Sequence, residues 1–191
     1  MECRNLGKSY GGQKVFEWVN LTFEAGGIYC FMGPSGSGKT TFFRCILGLE
    51  KPDTGEIRGR RLRFSAAFQE DRLIEFLSPV KNILLVRPQG KMDRTEVEKA
   101  CMEVLPAEAL SKPCSKLSGG MRRRAAVCRA MLADSEAVIL DEPFAGLDEE
   151  NHRRLAEWIL KWRKGRLLLI SSHDPEDVKR LGAVRIGWEE L

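Results

Sequence analysis

Three apolar runs in this chain are continuous rather than alternating. Ile28 to Met32 ends at a glycine-rich loop, Ala137 to Leu140 ends at Asp141-Glu142, and Leu167 to Ile170 ends at Ser171-Ser172-His173. Unbroken hydrophobicity over so few residues predicts strands covered on both faces of a parallel sheet. A fourth stretch, Val15 to Phe23, alternates apolar and polar positions and predicts an antiparallel strand beside that core. Each continuous run is followed by polar residues. Open α/β sheets bind ligands beyond the carboxyl ends of their strands, so one shared site accounts for all three endings.

Helical periodicity fills the intervals. Thr40 to Leu49 predicts a helix that starts at the glycine loop. Asp93 to Leu105 places Val97, Ala100, Cys101, Val104 and Leu105 on one face. Asp93 and Glu96 have capping-box spacing, and Pro106 ends the run. Met121 to Ala133 predicts another helix. Leu155, Trp158, Ile159 and Trp162 form an apolar stripe, read as core contacts. The whole chain, 1–191, is expected to be one domain. Residues 1–70 and 135–191 form its α/β core and β subdomain, and 71–134 form an inserted helical subdomain.

Composition narrows the class. With 43% hydrophobic and 30% charged residues in 191, the chain can bury a sizeable core. No run approaches the 18 apolar residues of a membrane span, and the N-terminus lacks a signal-peptide pattern. A cytosolic location is therefore expected, with any membrane span supplied by another chain. Six scattered cysteines without C-x-x-C spacing read as buried free thiols, not a metal cluster. The net charge of +4 is mild. The basic clusters Arg58, Arg60, Arg61, Arg63 and Arg122 to Arg124 read as solvated faces, and no nucleic-acid partner is expected.

The loop Gly33-Pro34-Ser35-Gly36-Ser37-Gly38-Lys39-Thr40 fits the phosphate-binding pattern G-x-x-x-x-G-K-[ST]. Its glycines let successive backbone N–H groups curl round anionic oxygens, and the following helix points its positive end at them. Lys39 supplies a charge for the β- and γ-phosphates. Thr40 offers a hydroxyl to Mg²⁺. At the second strand end, Asp141 is placed to hold Mg²⁺ and Glu142 to orient or deprotonate an attacking water. His173, at the third strand end, is placed to reach the γ-phosphate. Gln69 is read either as a contact to Mg²⁺ or the water, or as a surface amide. Tyr10 is read either as an aromatic face for adenine or as an ordinary packed ring. Ser118-Gly119-Gly120 opens the basic helix as a second anion-binding start. One chain already has its cradle, so this spare capacity suggests a second copy packed head to tail.

On these residues the chain resembles the ATP-binding subunits of ABC transporters. The motifs are Walker A at Gly33 to Thr41, the Q-loop at Phe68-Gln69-Glu70, the signature at Leu117 to Met121, and Walker B at Val138 to Glu142. They continue with the D-loop Ala145-Gly146-Leu147-Asp148 and the switch histidine His173. Phe68 to Ile74 and Leu117 to Arg124 are similar to importer ATPases of the nitrate/sulfonate/taurine group. The resemblance implies a P-loop NTPase (RecA-like) core with a mainly parallel sheet, an antiparallel β subdomain and an inserted helical subdomain. It implies ATP hydrolysis with Mg²⁺, held by Thr40, Gln69 and Asp141, at a site that includes Thr41, with adenine stacked on Tyr10. It further implies a homodimer in which Ser118, Gly119, Gly120 and Asp148 of one copy complete the site of the other. The expected partners are integral membrane permease subunits and an extracytoplasmic substrate-binding protein; Leu73, Ile74, Phe76 and Leu77 are read either as the permease contact or as ordinary core packing. The implied place is the inner face of the cell membrane. Met121 departs from the glutamine usual in the signature. The alternative is a soluble ABC ATPase of an assembly process such as iron–sulfur cluster biogenesis.

Overall fold

The computed structural model describes residues 1–59, 62–86 and 92–191. Arg60 and Arg61 of the first basic cluster lie outside them. Strands β1 (Glu2–Tyr10), β2 (Gln13–Thr22) and β4 (Thr54–Arg58) make an antiparallel sheet in the order β2-β1-β4. Strands β3 (Ile28–Met32), β5 (Phe64–Ala67), β6 (Ala137–Asp141), β7 (Leu167–Ser172) and β8 (Val184–Gly187) make a parallel sheet in the order β5-β6-β7-β3-β8. The three apolar runs are its central strands. The alternating stretch is β2, as its period implies.

The continuous runs follow from two separate cores, one on each face of the parallel sheet. Cys30, Met32, Val138, Leu140, Leu168 and Ile170 point into the helix-covered face. Tyr29, Phe31, Ala137, Ile139, Leu167 and Leu169 point toward the antiparallel sheet and α1 (Lys39–Ile46). With both faces dry, neither parity of residue can be polar.

The other helices are α2 (Pro79–Leu84), α3 (Arg94–Met102), α4 (Gly119–Leu132), α5 (Glu149–Arg163) and α6 (Pro175–Leu181). The Asp93–Glu96 capping box forms in both directions. Helix α3 stops at Met102, short of Leu105, although Val104 and Leu105 still bury in the same core. Helix α1 ends at Ile46 rather than Leu49. There the Gly48 N–H reaches Cys45 O at 3.0 Å and the Leu49 N–H reaches Arg44 O at 2.9 Å, with Gly48 at φ 69°. This paired closure around a left-handed glycine ends the helix. Helix α4 begins two residues before Met121, because Ser118 is its N-cap. On α5, Leu155, Trp158 and Ile159 are buried, and the Trp158 indole donates to Ala100 O at 2.9 Å, tying α5 to α3. All six cysteines are free and buried; burial pushes the Cys30 thiol up to about 12.

Strand register decides where the chemistry falls. Met32 pairs with Ser172, Asp141 with Ser171, and Ala67 with Leu140. The ends of β3, β5, β6 and β7 therefore reach one edge together, and the polar residues after them meet there.

Candidate functional site: a phosphate cradle with a carboxylate pair

The loop from Gly33 to Gly38 joins β3 to α1. Gly38 is the N-cap of α1 at φ 104°, and its carbonyl accepts from the Phe42 N–H at 2.9 Å. A Cβ here would stand 2.7 Å from Val15 Cγ1, so both the φ and the space require glycine. Lys39 is 5% exposed. Its ammonium donates to Gly33 O at 2.7 Å, Pro34 O at 2.8 Å and Ser37 Oγ at 3.4 Å. The lysine thus lies folded inside its own loop, where an anion would take over its protons.

Asp141 ends β6 almost fully buried. Thr40 Oγ1 donates to its Oδ2 at 2.5 Å, and Ser171 Oγ donates to its Oδ1 at 2.5 Å. The same Ser171 oxygen accepts the Glu142 N–H at 2.9 Å. Glu142 sits at φ 51°, a left-handed turn that swings its side chain away from that of Asp141. Glu142 Oε2 lies instead 3.0 Å from His173 Nδ1. The adjacent carboxylates therefore have separate settings. One is enclosed and bonded to hydroxyls; the other meets a histidine whose side chain is 70% exposed.

These groups line an open cleft of about 270 Å³ bounded by Tyr10, Val15, Ser35, Gly36, Gly38, Lys39, Thr40, Thr41, Gln69, Asp141 and Glu142. The Tyr10 ring is half exposed, and its hydroxyl bonds to Glu50. That bond holds the phenol above its usual range. Gln69 lines the cleft while its backbone carbonyl accepts from Arg123 of α4. Arg123 also donates to Phe68 O at 2.5 Å and stands 3.4 Å from Asp71. Arg129 reaches Arg72 O at 2.7 Å and Asp71 O at 3.1 Å. The arginines of α4 thereby hold the backbone of 68–72. Burial lifts the Asp71 carboxyl above its ordinary value, opposed by those arginines.

Ser118, Gly119, Gly120 and Asp148 do not line this cleft. Ser118 Oγ accepts from the Met121 N–H at 3.3 Å. Gly120 packs toward the D-loop, where a Cβ would stand 3.2 Å from Leu147 Cδ2. Asp148 caps α5, accepting from Asn151 N and Nδ2 at 2.8 Å each, which holds its carboxyl below the usual range. Arg124 donates to Asn151 Oδ1, joining the starts of α4 and α5.

Three functional contacts escape the sequence. Ser171 reads there only as a polar strand end; its register opposite Asp141 makes it the link between the carboxylates. Arg123 reads as a solvated base but is 7% exposed. Asp177 is fully buried and joins His152, at 2.5 Å, to Ser172, also at 2.5 Å, behind the switch loop. The i, i+1 and i+7 spacing of Arg122, Arg123 and Arg129 is the signal that could have found the clasp on 68–72.

Sheet order, the loop between β3 and α1, and the paired carboxylate at the end of β6 define a P-loop nucleotide-binding cassette. A family profile described as ABC transporter matches residues 16–145. Aliphatic sulfonates import ATP-binding protein SsuB 1 of Nocardia farcinica is 38% identical, over 92% of this chain and 72% of that protein. Zinc import ATP-binding protein ZnuC of Pseudomonas fluorescens is 34% identical over 91% of this chain and 67% of its own length. Sulfate/thiosulfate import ATP-binding protein CysA of Methylococcus capsulatus is 33% identical over 93% and 57%. The fold matches a dimeric bacterial ABC transporter cassette at a TM-score of 0.85, with 24% identity over 98% of this chain and 94% of that one. The chain belongs to the ABC transporter family.

Proposed function

We propose that this chain is the ATP-binding and ATP-hydrolysing subunit of an importer, working as a pair of copies beneath separate membrane subunits. The observation that carries the reading is one connected path, Thr40–Asp141–Ser171–Glu142–His173, across the ends of β6 and β7 and the start of α1.

The N–H groups of the loop and of the first turn of α1 receive the phosphates, and Lys39 turns its protons from Gly33 and Pro34 to the β- and γ-oxygens. The Thr40 hydroxyl and the Asp141 carboxylate are hard oxygen donors already in contact, a set suited to Mg²⁺, with Gln69 at the cleft wall. Held there, Mg²⁺ would supply neutralisation of phosphate charge. Glu142 orients a water and takes its proton as the water oxygen bonds to the γ-phosphorus. The bond to the β–γ bridging oxygen breaks, leaving ADP and inorganic phosphate. His173 holds the Glu142 carboxylate in place and meets the γ-phosphate. Tyr10 stacks on adenine.

Gly119 supports the paired arrangement. Its φ is not positive and a Cβ there would meet nothing within 4 Å. Among the described residues nothing requires glycine at 119, whereas close approach of another copy's phosphates would. In the pair, Ser118, Gly119 and Gly120 cover the triphosphate held by the partner, and Asp148 couples the two sites.

No helix among the described residues is long and apolar enough to cross a membrane. Phe76 and Ile74 are exposed, at 79% and 37%, and fit a contact with permease subunits at the inner face of the membrane. Leu73 is half-buried against the cores, which supports the packing reading for it. Relatives named for sulfonate, sulfate and zinc import are similarly close in sequence, which fits a solute chosen by the membrane subunits and an extracytoplasmic binding protein.

The test is Mg-ATP hydrolysis against protein concentration for wild type and Glu142→Gln. We expect a rate per subunit that rises with concentration, and a roughly 10²- to 10⁴-fold loss in the variant. A concentration-independent rate that survives the substitution would remove both Glu142 as base and the shared site.

A further inference from the structure

Strand β8 is the edge strand beside β3, and Met32 pairs with Gly187. That register brings the next residue, Trp188, alongside Gly33, the first residue of the cradle. A Cβ on Gly33 would stand 3.1 Å from Trp188 Cβ. Trp188 is 5% exposed. Its ring packs edge-on to Phe16 at 5.8 Å, with Phe31 at 5.9 Å and Phe42 at 5.0 Å. It is absent from the lining of the cleft, so it lies behind the loop. From there its indole Nε1–H donates to Ser37 O at 2.6 Å.

That bond reaches the far end of the cradle, just before Gly38 and Lys39. A trans peptide is planar, and its C=O and N–H point in opposite directions. There is no cis peptide among the described residues. With Ser37 O held toward Trp188, the N–H of Gly38 is turned away from it, toward the open side of the loop. Gly38 itself has φ 104°, and Val15 leaves no room for a Cβ there, so this peptide is one that only glycine supplies. A loop of glycines has many conformations to lose when an anion orders it.

We propose that Trp188 is a positioning residue for the phosphate cradle: its indole N–H fixes the Ser37–Gly38 peptide with the Gly38 N–H aimed at the bound triphosphate. The inference rests on the nucleotide reading of the loop. It assigns the cradle a support 151 residues away in sequence, in the turn just after β8, the strand at the opposite edge of the sheet from β5. Trp188 touches the loop's backbone and does not line the cleft, so its contribution belongs to the phosphate cradle.

The test uses the full chain, with wild type compared to Trp188→Phe, which keeps an aromatic ring among Phe16, Phe31 and Phe42 but has no N–H. Calorimetric Kd values are read for ATP and for inorganic tripolyphosphate, together with KM and kcat. We expect Kd for both ligands and KM to rise about three- to tenfold, the scale of one net hydrogen bond, while kcat stays within about twofold. A lower melting temperature with unchanged Kd values would make Trp188 a packing residue and overturn the proposal. So would a weakening confined to ATP, since that would trace to the nucleoside. Should the Phe variant fail to fold, 3-benzothienylalanine at 188 keeps the ring size and removes only the N–H, with the same outcomes. Absence of ATP and tripolyphosphate binding in wild type would overturn the nucleotide reading along with this one. Tight wild-type binding with an unmoved variant overturns this one alone.

Discussion

Two helices in this molecule begin at glycines, and they are finished to different degrees. At α1 the loop is backed by its own chain on every side except the open cleft. Lys39 fills it, Val15 crowds Gly38, Trp188 backs Gly33 and Ser37, and Thr40 leads into the carboxylate network. At α4 Ser118 caps its own helix, and Gly119 has no neighbour that a methyl group would meet. The first start is built by its own chain. The second carries a glycine, Gly119, for which the described residues around it give no reason. A helix N-terminus attracts anions wherever it is; the difference lies in whether the surroundings shape the concavity. This contrast is the physical case for a site completed between two copies.

Gly119→Ala tests the contrast most severely. At a helical position with open space, alanine should raise stability by about 0.5–1 kcal/mol, read as a higher melting temperature. The proposed site between copies would meanwhile lose close approach to the γ-phosphate, with turnover falling by roughly 10²-fold. A more stable variant with unchanged turnover would erase the difference between the two helix starts. Ser171→Ala attacks the other start. It removes a buried hydroxyl that both donates to Asp141 and accepts from Glu142. We expect stability to fall by about 1–3 kcal/mol in denaturant titration and turnover to fall roughly tenfold or more as Glu142 loses its anchor. Full turnover would show that the φ 51° turn alone positions Glu142.

A smaller effect concerns pH. The Asn151 donors hold the Asp148 carboxyl below its ordinary value. A depressed acid contributes stability above its unfolded pKa, about 3.9, and loses that contribution as pH falls through the folded value. Wild type should therefore lose melting temperature on acidification below about pH 4. Asp148→Asn should flatten that part of the profile while leaving the neutral-pH slope unchanged. An identical acid limb in both proteins would mean that the Asn151 bonds do not distinguish the folded from the unfolded carboxyl.

Legibility differs across the chain for identifiable reasons. Strands β3, β6 and β7 announce themselves because burial on both faces removes every polar residue. Strands β4, β5 and β8 are four or five residues long, β4 mostly exposed and β5 and β8 partly covered, so their patterns are too short and too mixed to read. The loop with Lys39 and Thr40, and the pair Asp141-Glu142, are legible because their chemistry is local: adjacent residues on one turn. Ser171, Arg123, Asp177 and Trp188 act on partners 29, 54, 25 and 151 residues away. No local pattern marks them. Arg123 shows the limit best, since an arginine run suggests a wet surface until the helix turns two of its members, Arg123 and Arg124, inward, each 7% exposed.

By itself the sequence determined the strand–loop–helix cradle, the parallel sheet, and the residue types gathered at its carboxyl edge. Those depend on hydrophobic period and on short-range backbone chemistry, which are properties of neighbours in the chain. The tertiary structure decided the alignment. It set Asp141 against Ser171, turned Asp141 and Glu142 to different partners, clasped 68–72 to α4, and laid Trp188 behind Ser37. These follow from strand order and register, which arise only when separate segments pack. A one-residue slip in that packing would send every side chain to the other face.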